Sequence, residues 1–361
     1  MKILRYRMYG AGLSNQRMSL DMGVALSVHT GRRFSPYGFR GLEHSGRFVG
    51  GQRGKYNVLD LFDVPLDVLD DNEFRGGDTG LDVASFSPDR LASNIFVEDD
   101  FDSDACFIEF LGGRKSLPIN LNAEFGSVPI LDFSSSNNFC NVAPQFYLGE
   151  QRRSEVVSAA LDVVPKEIYR RVGREIAEIL GSFNAVHIRQ GDFLAMAHPF
   201  DIRDATELVD RALEIFDTNI PLVICSDQED SPNLAPLLRV FPNHILLASA
   251  IESDVELKGI YAQLPFQDEA IMGLISQLVC EHAVTFAGSL RSTFTNYIHR
   301  ARREVDMLFV NTLSLRHVRI IKGHFDDCFP DKSFTWERTG WRYDIDPSAI
   351  TWMREWPESF H

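Results

Sequence analysis

Near the start of the chain, Leu4, Tyr6 and Met8 alternate with Arg5 and Arg7, the period of two that marks a strand over residues 2–9. A glycine-bearing turn follows, running from Gly10 through Ala11, Gly12, Leu13 and Ser14 to Asn15. Met18, Met22, Ala25, Leu26 and His29 then recur at helical spacing until Gly31, a residue suited to closing a helix. The chain therefore opens with strand, glycine turn and helix. Between residues 35 and 160, Gly, Asp and Ser break the apolar pieces, such as 57–62 and 105–111, into lengths that define no element and no internal repeat. A helix is expected over 165–180, with Pro165 in its first position, a stripe of Ile168, Val172, Ile176 and Ile179, and Gly181 at its end.

From residue 182 the pattern is regular. Strands are expected at 185–189, 221–225, 244–248 and 284–287. Helices are expected at 204–216, from Ser231 and Pro232 onward, at 268–283 and from Ser292 to about Arg303. Asp204 and Glu207 have the spacing of a capping box, and Ile271, Leu274, Ile275, Leu278 and Val279 share one helical face. Strands alternating with helices predict an α/β fold with a parallel sheet covered on both faces. The second half reads as Rossmann-like, and the first half begins in the same way. The expected division is a first domain over 1–165, a second over 166–320 and an aromatic tail over 321–361.

Composition narrows the classes. With 361 residues, 44% hydrophobic and 24% charged, the chain is long enough for two globular domains. A formal charge of −15 would repel nucleic acid, so that partner is not expected. Cys106, Cys140, Cys225, Cys280 and Cys328 are widely spaced and odd in number, without a CxxC pair, which predicts neither a disulfide framework nor a zinc site. Cys225 and Cys280 lie in apolar runs and are expected to be buried thiols. No apolar run reaches the length of a membrane helix, and a cytoplasmic location is the expectation.

In open parallel sheets, ligands bind where strands end and helices begin. Four such places carry unusual residues. The turn from Gly10 to Arg17 lets backbone amides near Gly12, Ser14 and Asn15 approach a phosphate at a helix N-terminus; it is equally a plain tight turn with a helix cap. His187, Ile188, Arg189, Gln190, Gly191 and Asp192 end a strand. There Arg189 can grip a phosphate with its planar fork, or form a structural pair with Asp192. Cys225, Ser226 and Asp227 end the next strand, and the Asp227 carboxylate can accept from the edge of a guanine or cap the following turn. In the segment from Gly288 to Phe294, Ser292 and Thr293 open a helix where a second anion could sit, Ser292 is expected as the N-cap, and Phe294 could pack on a nucleotide or sugar.

The segments GAGLSNQR (10–17), HIRQGDF (187–193), VICSD (223–227) and GSLRSTFTNYIH (288–299), in this order and spacing, resemble the GDP-fucose-dependent fucosyltransferase superfamily, most closely the protein O-fucosyltransferases. The matching stretches cover residues 1–32 and 182–304. The resemblance implies a GT-B fold, two Rossmann-like domains facing across a cleft, and inverting, metal-independent transfer with no cofactor beyond the GDP-fucose donor. It implies Asn15 near the β-phosphate and fucose, His187 and Arg189 on GDP with Arg189 at the β-phosphate, and Asp227 on guanine. Ser292, Thr293 and Phe294 would hold phosphates and sugar. Two departures stand out. The first loop lacks the Glu that some members carry as a base, and Ser276 replaces an Asp found before the STF segment. That leaves the base unassigned, with Asp192 as a candidate and an acceptor- or product-assisted route as the alternative.

The implied partners are a GDP-sugar and a protein or glycan hydroxyl acceptor, with no membrane segment. Three alternatives stay open: a transferase for another nucleotide sugar, a dinucleotide-dependent oxidoreductase, and a non-catalytic sugar or peptide binder. The acceptor would be met by residues 35–160 or by the tail with Phe325, Phe329, Phe334, Trp336, Trp341, Tyr343, Trp352 and Trp356. Those aromatics could instead pack the tail across the domains.

Overall fold

The structure is a computed structural model. It describes residues 2–8, 12–38, 56–69, 83–86, 121–133, 150–190, 205–289, 292–302, 304–308, 319–321, 334–336 and 341–343. The chain divides into two compact units, Met1–Lys166 with Ser348–Ser359, and Glu167–Pro347 with Phe360–His361.

The first unit contains β1 (Ile3–Arg7), α1 (Leu13–Thr30), β2 (Arg33–Tyr37), α2 (Val58–Leu61), β3 (Phe62–Asp63), β4 (Val83–Phe86), α3 (Leu121–Phe125), β5 (Ile130–Phe133), α4 (Glu150–Leu161) and β6 (Val164–Pro165). Its main sheet has the order β2-β1-β5-β4, with every pair parallel. The alternation in β1 is realised: Leu4, Tyr6 and Met8 are buried, while Arg5 and Arg7 are partly exposed.

Helix α1 descends closely onto the sheet because Gly23 has no side chain. A Cβ there would meet the Phe34 ring at 2.6 Å. The helix also packs against α4, so it is buried nearly all round and not along a single stripe. Gln16, Arg17, Ser19 and Asp21 are buried with it. Arg17 donates to the Val163 carbonyl at 3.2 Å and its guanidinium stacks 4.9 Å over the Phe62 ring. That makes Arg17 a tie between α1 and the β3–β6 pair. Gly31 closes α1 in the left-handed conformation, at φ 62°, as its position predicted.

Arg32 follows directly, 6% exposed, and fills the N-terminal mouth of the sheet. Its guanidinium donates to the carbonyls of Phe125 at 2.6 Å, Val128 at 2.8 Å, Pro129 at 3.1 Å and Ile3 at 3.4 Å. The face of the sheet opposite Tyr6 and Phe34 carries a polar row. Arg5 is in register with Ser35 and Asp132; Arg5 lies 3.4 Å from the Asp132 carboxylate, and Tyr37 donates to it at 2.9 Å. Burial and the nearby Asp132 carboxylate push the Tyr37 phenol well up from its ordinary range.

The second unit contains α5 (Glu167–Leu180), β7 (Asn184–Ile188), α6 (Ala205–Ile215), β8 (Leu222–Ser226), a 3₁₀ turn (Pro232–Leu234), α7 (Ala235–Val240), β9 (His244–Leu246), α8 (Leu247–Ser253), α9 (Val255–Tyr261), α10 (Glu269–Cys280), β10 (Phe286–Ser289), α11 (Thr293–Arg302), β11 (Glu304–Leu308), β12 (Arg319–Ile321), β13 (Phe334–Trp336) and β14 (Trp341–Tyr343). Its main sheet runs β12-β11-β10-β7-β8-β9, parallel except for β12, which is antiparallel to β11. β13 and β14 form a separate antiparallel pair. Both main sheets thus match the expected parallel α/β pattern.

On one face of β7 and β8, Val186, Ile188, Leu222 and Ile224 pack with Leu208 and Ala212 of α6 and with Leu234, Leu237 and Phe241. Helix α10 buries the expected face, Ile271, Leu274, Ile275, Leu278 and Val279, and Asp268 caps it by accepting from the Ile271 amide. Cys225 and Cys280 are buried as expected, their sulfurs 3.4 Å apart.

Several expectations at element ends are corrected. Pro165 does not open α5. It lies in β6 opposite Phe62, a place where its missing N–H costs little, and the helix starts at Glu167. The buried face of α5 is Tyr169, Val172, Gly173, Ile176 and Ala177, and Ile179 is 40% exposed. The helix has turned toward its small residues, because α10 approaches so closely that a Cβ on Gly173 would meet Leu278 Cβ at 2.5 Å. The third strand stops at Leu246; Ala248 belongs to α8, whose first amides at Ala248 and Ser249 donate to Glu229. The fourth strand begins at Phe286, and Val284 lies exposed in the preceding turn. Asp204 lies outside the described residues. Among the described residues no helix is long and apolar enough to cross a membrane.

Candidate functional site

The topology of the second unit points to one place. From β7 the chain proceeds outward through β8 to β9, then returns to the other side of β7 as β10. The order reverses between β7 and β10, and in open α/β sheets the crevice outside the strand ends at such a reversal is where ligands bind. His187 is in register with Gly288 on β10 and with Cys225 on β8. Three of the four candidate segments therefore end side by side: His187 to Gln190 after β7, Ser226 and Asp227 after β8, and Gly288 and Ser289 on β10 leading to Ser292 and Thr293 at α11.

Arg189 and Asp227 meet across the ends of β7 and β8. Arg189 Nε lies 3.4 Å from Asp227 Oδ2, and the two side chains are 18% and 15% exposed. The other carboxylate oxygen accepts from the Gln190 amide at 2.8 Å. Asp227 thus orients the guanidinium and fixes the backbone just past the strand. The pairing anticipated for Arg189 was with Asp192, which lies outside the described residues. Adjacent strands place their end residues together, which is why Arg189 meets Asp227, a neighbour not visible in one dimension.

His187 sits one layer below, buried. Its Nδ1 is 2.8 Å from the Thr295 hydroxyl, and its ring stacks on Phe294 with centroids 4.2 Å apart. Burial first, and then the positive charge of Arg189, hold the His187 pKa down to about 3. The imidazole is neutral near pH 7 and acts as a hydrogen-bonding and stacking group. Phe294 is held in turn, because Gln277 donates to its carbonyl at 3.1 Å. Gly288 is required for this arrangement: a Cβ there would meet the Thr295 methyl and hydroxyl at 2.6 Å. Thr295 and Gln277 were not singled out by the sequence. Their signal is weak, since each acts by holding a residue that was.

Ser292 is buried immediately before α11, and Thr293 and Phe294, in its first turn, are partly exposed. Ser276, which stands where an Asp was expected by resemblance, is buried on α10. In the first unit, β1 and β5 flank the corresponding reversal of strand order. Gly12, Ser14 and Asn15 lie at the start of α1, which has neither a side-chain cap on Gly12 nor an acidic residue in its first turn. Among the described residues no cluster of three or more His, Cys, Asp or Glu has the arrangement of a metal site.

With this geometry in hand, comparison with known proteins adds the following. No family model matches the chain, and no curated protein matches it. It is similar to solved structures. Fucosyltransferase NodZ from Bradyrhizobium shares 12% identity over 85% of this chain and 94% of that one, with a TM-score of 0.47. POFUT1 in complex with GDP-fucose shares 12% identity over 84% and 94%, with a TM-score of 0.43. A point mutant of Arabidopsis thaliana FUT1 in complex with GDP shares 13% identity over 85% and 70%, with a TM-score of 0.44.

Proposed function

We propose that the protein is a GDP-sugar-dependent glycosyltransferase, with GDP-fucose as the donor and a protein or glycan hydroxyl as the acceptor. The observation that carries the reading is the Arg189–Asp227 pair at the β7/β10 reversal, beside the start of α11. A permanently charged fork held at the edge of a parallel sheet suits a diphosphate leaving group. The resemblance of the four sequence segments to the GDP-fucose-dependent fucosyltransferases favours the fucose donor over another GDP-sugar.

In this reading the acceptor oxygen attacks C1 of the sugar as the bond from C1 to the β-phosphate oxygen breaks, which inverts the anomeric centre. GDP leaves with the bonding electrons, and Arg189 stabilises the charge that accumulates on the β-phosphate. Ser292 and Thr293, with the amides that open α11, assist on the phosphates. Gly12, Ser14 and Asn15, at the start of α1 in the first unit, are candidates carried by the resemblance alone. Asp227 is the candidate for the guanine edge, and its use by Arg189 and the Gln190 amide leaves it further lone pairs to accept with. Phe294 and His187 form the floor beneath the sugar. The acceptor proton goes to Asp192 or to the departing phosphate.

Because the charge on the leaving group is met by arginine and helix N-termini, no metal is required. Release of GDP from GDP-fucose, with water as acceptor, is expected to proceed at an unchanged initial rate in EDTA. A rate that collapses on chelation and returns with Mg²⁺ or Mn²⁺ would overturn the metal-free mechanism.

A further inference from the structure

Gln190 is fully buried, and among the described residues neither its Nε2 nor its Oε1 has a hydrogen-bond partner. A buried amide left unpaired on both sides is costly, and a ligand that pairs both ends removes that cost. Its position is specific. It follows Arg189 at the end of β7, and its backbone N–H is already held by Asp227. The side chain has no hydrogen bond to break, so turning the amide toward the Arg189–Asp227 pair would cost no such bond. An amide offers one acceptor and two donors in one plane. Phosphate oxygens near pH 7 only accept and would leave Oε1 unpaired. Two neighbouring hydroxyls, one donating and one accepting, satisfy both ends.

We propose that Gln190 is a specificity-determining residue whose amide binds a vicinal diol of the nucleotide sugar. This rests on the functional reading above. The diol belongs either to the ribose or to the transferred hexose. A site built to pair hydroxyls rejects ligands that lack them, because its own polar atoms are then stranded.

The proposal makes an unusual demand, namely that removing the amide stabilises the empty protein while weakening the complex. Gln190→Met keeps the volume and deletes the polar atoms. The ligand-free variant should melt about 2–4 °C higher than the wild type. Affinities for GDP, 2′,3′-dideoxy-GDP and GDP-fucose are then measured by titration calorimetry. If the diol is the ribose, the variant loses about tenfold toward GDP and nothing toward the dideoxy analogue. If it is the hexose, only GDP-fucose weakens. The proposal is overturned if the variant melts lower or fails to fold, because the amide is then satisfied in the empty protein by a buried water or another group. It is equally overturned if all three ligands bind as to the wild type or weaken alike. Gln190→Leu repeats the comparison with a second apolar side chain. A wild type that binds no guanine nucleotide overturns the functional reading and this ligand together, whatever the melting temperature of the variant.

Discussion

Arg189→Ala is expected to lower GDP-fucose turnover by about 10² to 10³ while the protein stays folded. That is the usual loss when one preorganised donor to a developing negative charge is removed. The stability change should be small, about 1 kcal/mol, because the contact to Asp227 is long and both side chains keep some solvent access. Arg189→Lys should recover little, since a point charge on a flexible stem cannot copy a planar fork held side-on. Asp227→Ala should fall between wild type and Arg189→Ala in rate, because it frees the guanidinium and the Gln190 amide without removing the charge. A purely structural role for the pair predicts the opposite division, a large drop in melting temperature in both alanine variants with turnover near normal. Melting curves and GDP release measured on the same preparations separate the two.

Arg32→Ala is expected to cost the first unit about 3 kcal/mol or more. The carbonyls of Ile3, Val128 and Pro129 at the starts of β1 and β5, and of Phe125 at the end of α3, converge on this one guanidinium, and truncation leaves buried and partly buried acceptors without a donor. At roughly 2–4 °C per kcal/mol, the melting transition should fall by about 6–12 °C. Arg32→Lys should restore only part, because an ammonium has three donors and no planar fork to reach all four groups. Ligands bind at the opposite, carboxyl ends of the strands, so turnover of the folded variant at low temperature should match the wild type. A variant with unchanged thermal stability would show that the carbonyls are met by water instead.

The two predictions concern residues of different legibility. Arg189 was visible in the sequence because a strand pattern ended on it and a glycine followed. Arg32 was not, since nothing in a single sequence tells an arginine after a helix-closing glycine that it will fill the mouth of a sheet. The same division runs through the fold. The parallel strands of the second unit, the face of α10 and the glycine stops at Gly31 and Gly181 followed from periodicity and from residue types with few alternatives. Where packing overrode periodicity, the reading failed. Helix α5 turned its Gly173 side to α10, although the isoleucines made a better apolar stripe. Pro165 went into a strand pair whose partner, Phe62, lies about a hundred residues away. Helix α1 hid its charges because α4 covers the face that α1 would otherwise show to water.

The site itself was legible as four segments but not as an arrangement. Spacing along the chain nominated His187, Arg189, Asp227, Ser292, Thr293 and Phe294, and packing in the second unit brings Arg189 to Asp227 and His187 to Phe294. Pairing between Arg189 and Asp227 depends on β8 lying next to β7, which is a property of the sheet. Thr295, Gln277 and the unpaired amide of Gln190 emerged only from contacts. Each acts on a residue already nominated, by holding it or by standing beside it.

The account turns on guanine-nucleotide binding, and thermal shift across nucleotides tests it most directly. At about a hundred times its dissociation constant, GDP should add roughly 2.7 kcal/mol of stability. ADP, UDP and NAD at the same concentration should add much less, because an acid at the end of β8 suits the N1–H and N2–H₂ edge of guanine. A larger shift with NAD or UDP, or no shift with GDP at saturating concentration, would contradict the proposed function.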